Sequence, residues 1–166
     1  MTTMIAIRSL QPDHWPAVRE IYTEGIATGQ ATFETEPSDW EDWNRGHRAD
    51  CRLIAEADGI VVGWAALTPV SGRCVYGGVA EVSVYVAEAS RGRGVGRALL
   101  QALVIESEQA GIWMLQAGIF PENAASVTLH EHCGFRVVGE RERLGQMDGR
   151  WRDVLLMERR SRVVGV

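Results

Sequence analysis

The most constraining feature of this sequence is a strand that runs through a glycine-rich loop into a helix. Within the strand Val79 to Val86, the run EVSVYV alternates so that Glu81, Ser83 and Tyr85 share one face and Val82, Val84 and Val86 the other. Beyond the loop Arg91-Gly92-Arg93-Gly94-Val95-Gly96, the residues Val95, Leu99, Leu100, Leu103 and Val104 recur at helical spacing, and the run stops at Gly111, which suits a C-cap. The expected class is therefore mixed α/β (α+β). The junction is also an anion site. The first amides of a helix lack internal acceptors, the helix dipole places partial positive charge there, and glycines let a bulky phosphate approach the backbone. Arg91, Arg93 and Arg97 add guanidinium donors. Taken alone, the glycines are as readily a flexible turn. A dinucleotide-binding G-x-G-x-x-G does not fit, since Arg97 or Leu99 falls where the third glycine belongs.

Elsewhere the signals are shorter. Ile5 to Ser9 reads as a strand, and Pro12 lies near the start of a helix carried by Val18, Ile21 and Tyr22 to about Gly25. Pro37 and Ser38 open a second helix with Trp40 and Trp43. Arg52 to Ala57 and Ile60 to Thr68 flank Asp58-Gly59, a strong hairpin signal. Ile112 to Phe120 is a further strand. A short helix from about Asn123 to His132 leads to strands near Phe135 to Arg143 and Trp151 to Met157. Residues 1–166 read as one domain, with a loose tail over about 161–166.

Composition narrows the chemistry. A net charge of -5 argues against nucleic acid or an anionic membrane as partner. All 17 basic residues are arginine, which excludes a Schiff-base lysine and a Walker phosphate loop. No apolar run approaches the ~20 residues of a spanning helix, and the start lacks the apolar stretch of a signal peptide. Cys51, Cys74 and Cys133 imply no disulfide framework, so reduced thiols and a cytoplasmic location are expected. No paired zinc-type ligand spacing occurs around Cys133, His130, His132 and His47, and no metal is expected.

Two motifs in order carry a family resemblance. Arg91, Gly94 and Gly96 match R/Q-x-x-G-x-G/A, and Asn123 to Phe135, NAASVTLHEHCGF, matches N-x-x-S-x-x-L-H-x-x-x-G-F. The chain thereby resembles the GNAT superfamily of acyl-CoA N-acyltransferases. The segments AEVSVYV, ATFETEP and GRWRDVLLME extend the resemblance over essentially the whole chain, to the phosphinothricin N-acetyltransferase branch. It implies a mostly antiparallel central sheet, flanked by about four helices and splayed where the cofactor binds. It further implies acetyl-CoA as cofactor, coenzyme A as product, a homodimer, and a small amine acceptor of the phosphinothricin, methionine sulfoximine or methionine sulfone type. Met147 and Asp148 depart from the pattern, standing in a loop where herbicide-detoxifying relatives carry a functional histidine, which puts the herbicide itself in question.

The resemblance assigns the pyrophosphate to Arg91, Gly92, Arg93, Gly94, Val95, Gly96 and Arg97, and the pantetheine arm to backbone groups of Val84, Tyr85 and Val86. An ammonium group cannot attack a thioester, so a base must deprotonate it, directly or through water. Glu81, a carboxylate within a strand, is the candidate; an ion pair with an arginine is the alternative. Asn123, Ser126 and His130 share one helix face. Asn123 is a helix cap, a cofactor contact or both, with Ser126 beside it. His130 protonates the leaving thiolate or packs. For the acceptor, Arg73 is the candidate carboxylate clamp or a solvated surface arginine, Phe33 a candidate pocket wall, and Val82 and Ser83 its neighbours. Trp40 and Trp43 read as core or dimer contacts. A non-catalytic acyl-CoA sensor and an enzyme acting on protein amines are the competing readings.

Overall fold

A computed structural model describes residues 3–166. Among them, seven strands form one sheet in the order β1-β2-β3-β4-β5-β7-β6. These are β1 (Ile5–Ser9), β2 (Leu53–Ala57), β3 (Ile60–Pro69), β4 (Val79–Val86), β5 (Met114–Ile119), β6 (Arg136–Met147) and β7 (Arg150–Arg160). Four α-helices cover it: α1 (Trp15–Ala27), α2 (Trp40–Gly46), α3 (Val95–Gln109) and α4 (Ala124–His132). Only β4 and β5 run parallel, because α3 carries the chain back between them. No helix of the described residues is long and apolar enough to cross a membrane.

Strand alternation sorts the core into two layers. Leu53, Ala55, Ala65 and Leu67 meet Leu99, Leu100 and Leu103 of α3 on one face, with α4 beside them. Ile54, Trp64 and Ala66 point the other way, onto Val18 and Ile21 of α1 and Trp43 of α2. Each wholly buried leucine of α3 contributes roughly 1.5–3 kcal/mol, which holds the start of that helix in place. Trp43 stands edge-on to Trp64 at 5.6 Å, and Trp64 stacks on Tyr85 at 4.9 Å. Of the two roles open to Trp43, core packing is therefore the one observed.

Several boundaries differ from the sequence expectation, each for a local reason. Gly25 does not end α1; it lies within the helix because the Tyr85 ring occupies the space a Cβ would take, 2.6 Å away. The helix stops at Thr28, before Gly29 at φ 67°. Helix α2 begins at Trp40, with Asp39 as cap accepting from the Asp42 amide at 2.9 Å, rather than at Pro37. Strands β6 and β7 form a longer hairpin than expected, turning at Asp148 and Gly149, both at positive φ. Residues 161–166 form no helix or strand, but their backbone is tied to the fold. Ser161 is buried, its amide donates to the Trp113 carbonyl, and the Arg160 guanidinium binds the carbonyls of Val164 and Gly165.

Gly78 starts the parallel β4–β5 pair, its carbonyl accepting from the amides of Trp113 and Met114. A Cβ there would lie 2.0 Å from the Trp113 ring. Gly78→Ala is expected to cost about 1–3 kcal/mol by overpacking, lowering Tm by roughly 2–12 °C. Gly46→Ala, where a Cβ meets nothing within 4 Å, is expected to leave it within about 2 °C or raise it slightly. Thermal unfolding of the two variants checks this, and equal Tm values would remove the steric account of Gly78.

Candidate active site

The sheet splits beside Glu81. Strand β4 pairs with β5 at Val79↔Met114, Ala80↔Leu115 and Glu81↔Gln116, and the ladder ends there. On its other side β4 stays paired with β3 as far as Val86↔Gly63. From Val82 to Val86, the edge of β4 that faces β5 thus has no strand partner among the described residues. An unpaired edge offers backbone donors and acceptors to an extended ligand, as a sheet does to an added strand. The expected splay is present at Val84, Tyr85 and Val86, and it begins two residues earlier, after Glu81.

The glycine loop closes one end of this opening. Gly92 and Gly94 sit at φ 77° and 83°, and Gly94 caps α3 with no side-chain hydrogen bond. The first amide of α3 with a helical acceptor is that of Ala98, donating to the Gly94 carbonyl, so the amides of Val95, Gly96 and Arg97 have no acceptor within the helix. Arg91, Arg93 and Arg97 are exposed and make no ion pair among the described residues, while Arg91 Nε donates to the Val86 carbonyl at 3.3 Å. Gly96 differs from the other two glycines. Its φ is ordinary and its missing Cβ leaves room for Leu129 of α4, which would otherwise stand 3.2 Å away. Smallness at Gly96 serves the packing of α3 on α4.

At the other end lies a cleft of about 320 Å³, lined by residues of β4, β5, β6, β7, α4 and the segment after α1. Glu81, half-buried, faces it, with Gln116 Nε2 donating to its Oε1 at 3.5 Å. Val82 and Ser83 line it as well. The Phe33 ring stands edge-on to Phe120 at 4.9 Å and lies against Gly145, forming a wall. Tyr85 forms the floor, wedged between Tyr22, Trp64 and Gly25. Burial raises its phenol pKa far above the ordinary value, so it is neutral.

On α4, Asn123 is the cap, its Oδ1 accepting from the Ser126 amide at 3.2 Å, and its Nδ2 donates to the Gln30 carbonyl at 3.1 Å. It therefore ties α4 to the segment after α1 while still lining the cleft, as Ser126 does. His130 is 5% exposed and edge-on to Phe135. Its Nδ1–H donates to the Ser126 carbonyl at 2.7 Å. Burial lowers its pKa, outweighing that hydrogen bond, so the ring is neutral and Nε2 can only accept. A ring whose single proton is held by Ser126 has none to deliver to a thiolate, and the structure supports packing rather than the acid role.

Arg73 is not in the cleft. It lies in the β3–β4 connection, its guanidinium 5.5 Å from the Tyr76 ring, and it does not line the cavity. The long connection, Val70 to Gly78, has no local pattern that says which way it folds. Conversely, sequence reading passed over Arg141, Leu144, Val154 and Leu156, which the β6–β7 hairpin brings to the cleft. It also missed Arg152, which packs over Phe120 and binds the Gly29 carbonyl, Gln30 and Glu122, fastening the Phe33 segment. Nothing local marks these residues, since the β6–β7 and β5–β7 registers place them.

Residues 13–135 match the acetyltransferase (GNAT) family. The chain is similar to a phosphinothricin N-acetyltransferase of Alcaligenes faecalis, 37% identical over 92% of this chain and 81% of that one. It is 32% identical to an L-methionine sulfoximine/L-methionine sulfone acetyltransferase of Pseudomonas aeruginosa, over 86% and 87% of the two chains. In three dimensions it is similar to a phosphinothricin acetyltransferase of Sinorhizobium meliloti in complex with acetyl-CoA, with TM-score 0.85 and 28% identity over 96% and 89% of the chains.

Proposed function

The chain belongs to the acetyltransferase (GNAT) family, and from that premise we propose that it moves acetyl from acetyl-CoA to the α-amine of a small amino-acid-like acceptor. One observation carries the reading: the sheet opens beside Glu81, so a free strand edge, a helix N-terminus and a carboxylate meet at one split. The chemistry of that split fits the cofactor. Around Tyr85, whose backbone faces β3, Val84 and Val86 offer backbone groups to the amides of a pantetheine arm. The amides opening α3, with Arg91, Arg93 and Arg97, suit a pyrophosphate. Bound there, acetyl-CoA supplies an activated acyl group.

The chain's own residues do the rest. Glu81 takes one proton from the acceptor ammonium through a water, leaving the nitrogen lone pair free to attack; the second proton lost from nitrogen as the amide forms would go by way of water to the displaced thiolate, giving coenzyme A. The Gln116 amide holds the carboxylate by its Oε1, leaving Oε2 for that proton. A free amide on the β4 edge donates to the carbonyl oxygen as charge develops on it. Phe33, Leu144 and Tyr85 exclude water around the nitrogen and give the acceptor side chain an apolar surface. A methionine sulfone, methionine sulfoximine or phosphinothricin side chain suits such a cleft, and relatives act on these by name.

Three free thiols support a reducing, cytoplasmic setting for this activity. A homodimer is part of the same proposal, supported by the exposed outer strand β6 with its bare Val137 and Val138. The test is an amine screen with acetyl-CoA, following thiol release for methionine sulfone, methionine sulfoximine, phosphinothricin, common amino acids and a short peptide. Small amino acids are expected to be acetylated well above background hydrolysis. Turnover of the peptide alone, or of nothing, would overturn the reading.

A further inference from the structure

We propose that Arg141 is the clamp for the acceptor's carboxylate. The inference rests on the reading of the acceptor as an amino acid. An amino acid brings a carboxylate into the cleft with its amine, and burying that charge without a partner is costly. Among the described residues Arg141 is the only arginine that lines the cleft, and His130, which also lines it, is neutral. It makes no ion pair and no side-chain hydrogen bond among the described residues, although Arg136, on the same strand, is paired with Glu158. Arg141 is exposed at the rim of the cleft, and a planar guanidinium left unpaired there is suited to bidentate binding of a carboxylate.

Its placement is built by the hairpin. Arg141 stands directly opposite Val154, so the two side chains share a face of the sheet. Val154 Cγ1 lies 3.3 Å from the point where Gly118 would carry a Cβ, and that point is 3.8 Å from Glu81 Oε1. Arg141 and Glu81 therefore flank the Gly118–Val154 step of the floor. One can hold the carboxylate while the other serves the neighbouring amine. Immediately after Arg141 the strand bulges, with Glu142, Arg143 and Leu144 standing against Asp153 alone. Asp153 Oδ1 accepts from the Arg143 amide at 2.8 Å, and Arg143 takes φ 47°. Bulges re-aim side chains beside sites, and this one brings Leu144 to the same cleft as Arg141.

The test compares L-methionine sulfone with its decarboxylated amine in the parent, Arg141→Gln, Arg141→Lys and Arg73→Ala. For the amino acid, Arg141→Gln is expected to lose roughly tenfold to a hundredfold in kcat/KM, mainly through KM, with the KM of acetyl-CoA unchanged. Arg141→Lys should lose less, since it keeps charge but not the fork. The decarboxylated amine should be a poor substrate of the parent and lose less than about twofold further in either variant. Arg73→Ala should follow the parent on both. Equal losses on both substrates, no loss on either, or a selective loss in Arg73→Ala instead would each overturn the clamp. A parent that acetylates both equally also overturns it. A parent that acetylates neither fails the acceptor reading itself, and the clamp falls with it.

Discussion

Glu81→Gln is expected to lower kcat by roughly a hundredfold to ten-thousandfold, the range over which a positioned general base acts. The substitution keeps the shape of the side chain and its Oε1, so the contact with Gln116 can persist and the last rung of the β4–β5 ladder stays as it is. What disappears is the proton acceptor. The KM for acetyl-CoA should therefore remain near the parental value, since the β4 edge and the glycine loop are untouched. The pH profile gives the sharper readout. Without its own base the variant depends on acceptor amine already deprotonated in solution, so its rate should climb with pH and recover part of the deficit under alkaline conditions. Parental rates with a parental pH profile would show that Glu81 is structural.

For Gly94→Val the expected result is a loss of acetyl-CoA affinity of roughly tenfold to a hundredfold in a protein that still folds. Gly94 is at φ 83°, a region that a β-branched residue occupies only under strain. A Cβ there meets no protein atom within 4 Å, so the change does not crowd the fold. The strain is relieved by moving the loop, and the amides that open α3 then lose their common aim. The new side chain also stands where a phosphate must approach. Gly94→Ala, without the β-branch, should lose less. Calorimetric titration with acetyl-CoA, alongside thermal unfolding, separates binding from folding; unchanged affinity in a folded Gly94→Val protein would move the cofactor site elsewhere.

Much of the strand, loop and helix proposed to hold the cofactor was legible in sequence because its determinants are consecutive. The alternation of β4, the glycines at positive φ and the helical spacing from Val95 lie within about thirty residues, where local sterics and dipoles decide the structure. Asn123 as a cap is legible for the same reason. Even so, one local signal was passed over. Asp148-Gly149 has the hairpin chemistry of Asp58-Gly59, and both pairs take positive φ. The charged run Glu140 to Arg143 before it lacks the apolar alternation that makes a hairpin signal readable, because β6 is an exposed edge strand with a bulge.

The cleft proposed for the acceptor was decided by tertiary structure. Arg73 and Arg141 are both arginines in unremarkable surroundings, and no local pattern separates a cleft residue from a solvated one. The choice falls to the register of β6 on β7 and of β7 on β5, pairings between residues far apart in the chain. A shift of one residue would turn Arg141 to the opposite face, since strand side chains alternate. His130 shows the same division. Its place on the face with Asn123 and Ser126 follows from helical spacing, but its neutrality follows from burial against Phe135, which only the packed fold supplies. Sequence by itself determined the strand, the glycine loop and the helix of the proposed anion site, because those forces act between neighbours. Only the folded sheet decided where it splits, which charges line the cleft and which of its protons are free, because register and burial join parts of the chain that no local force connects.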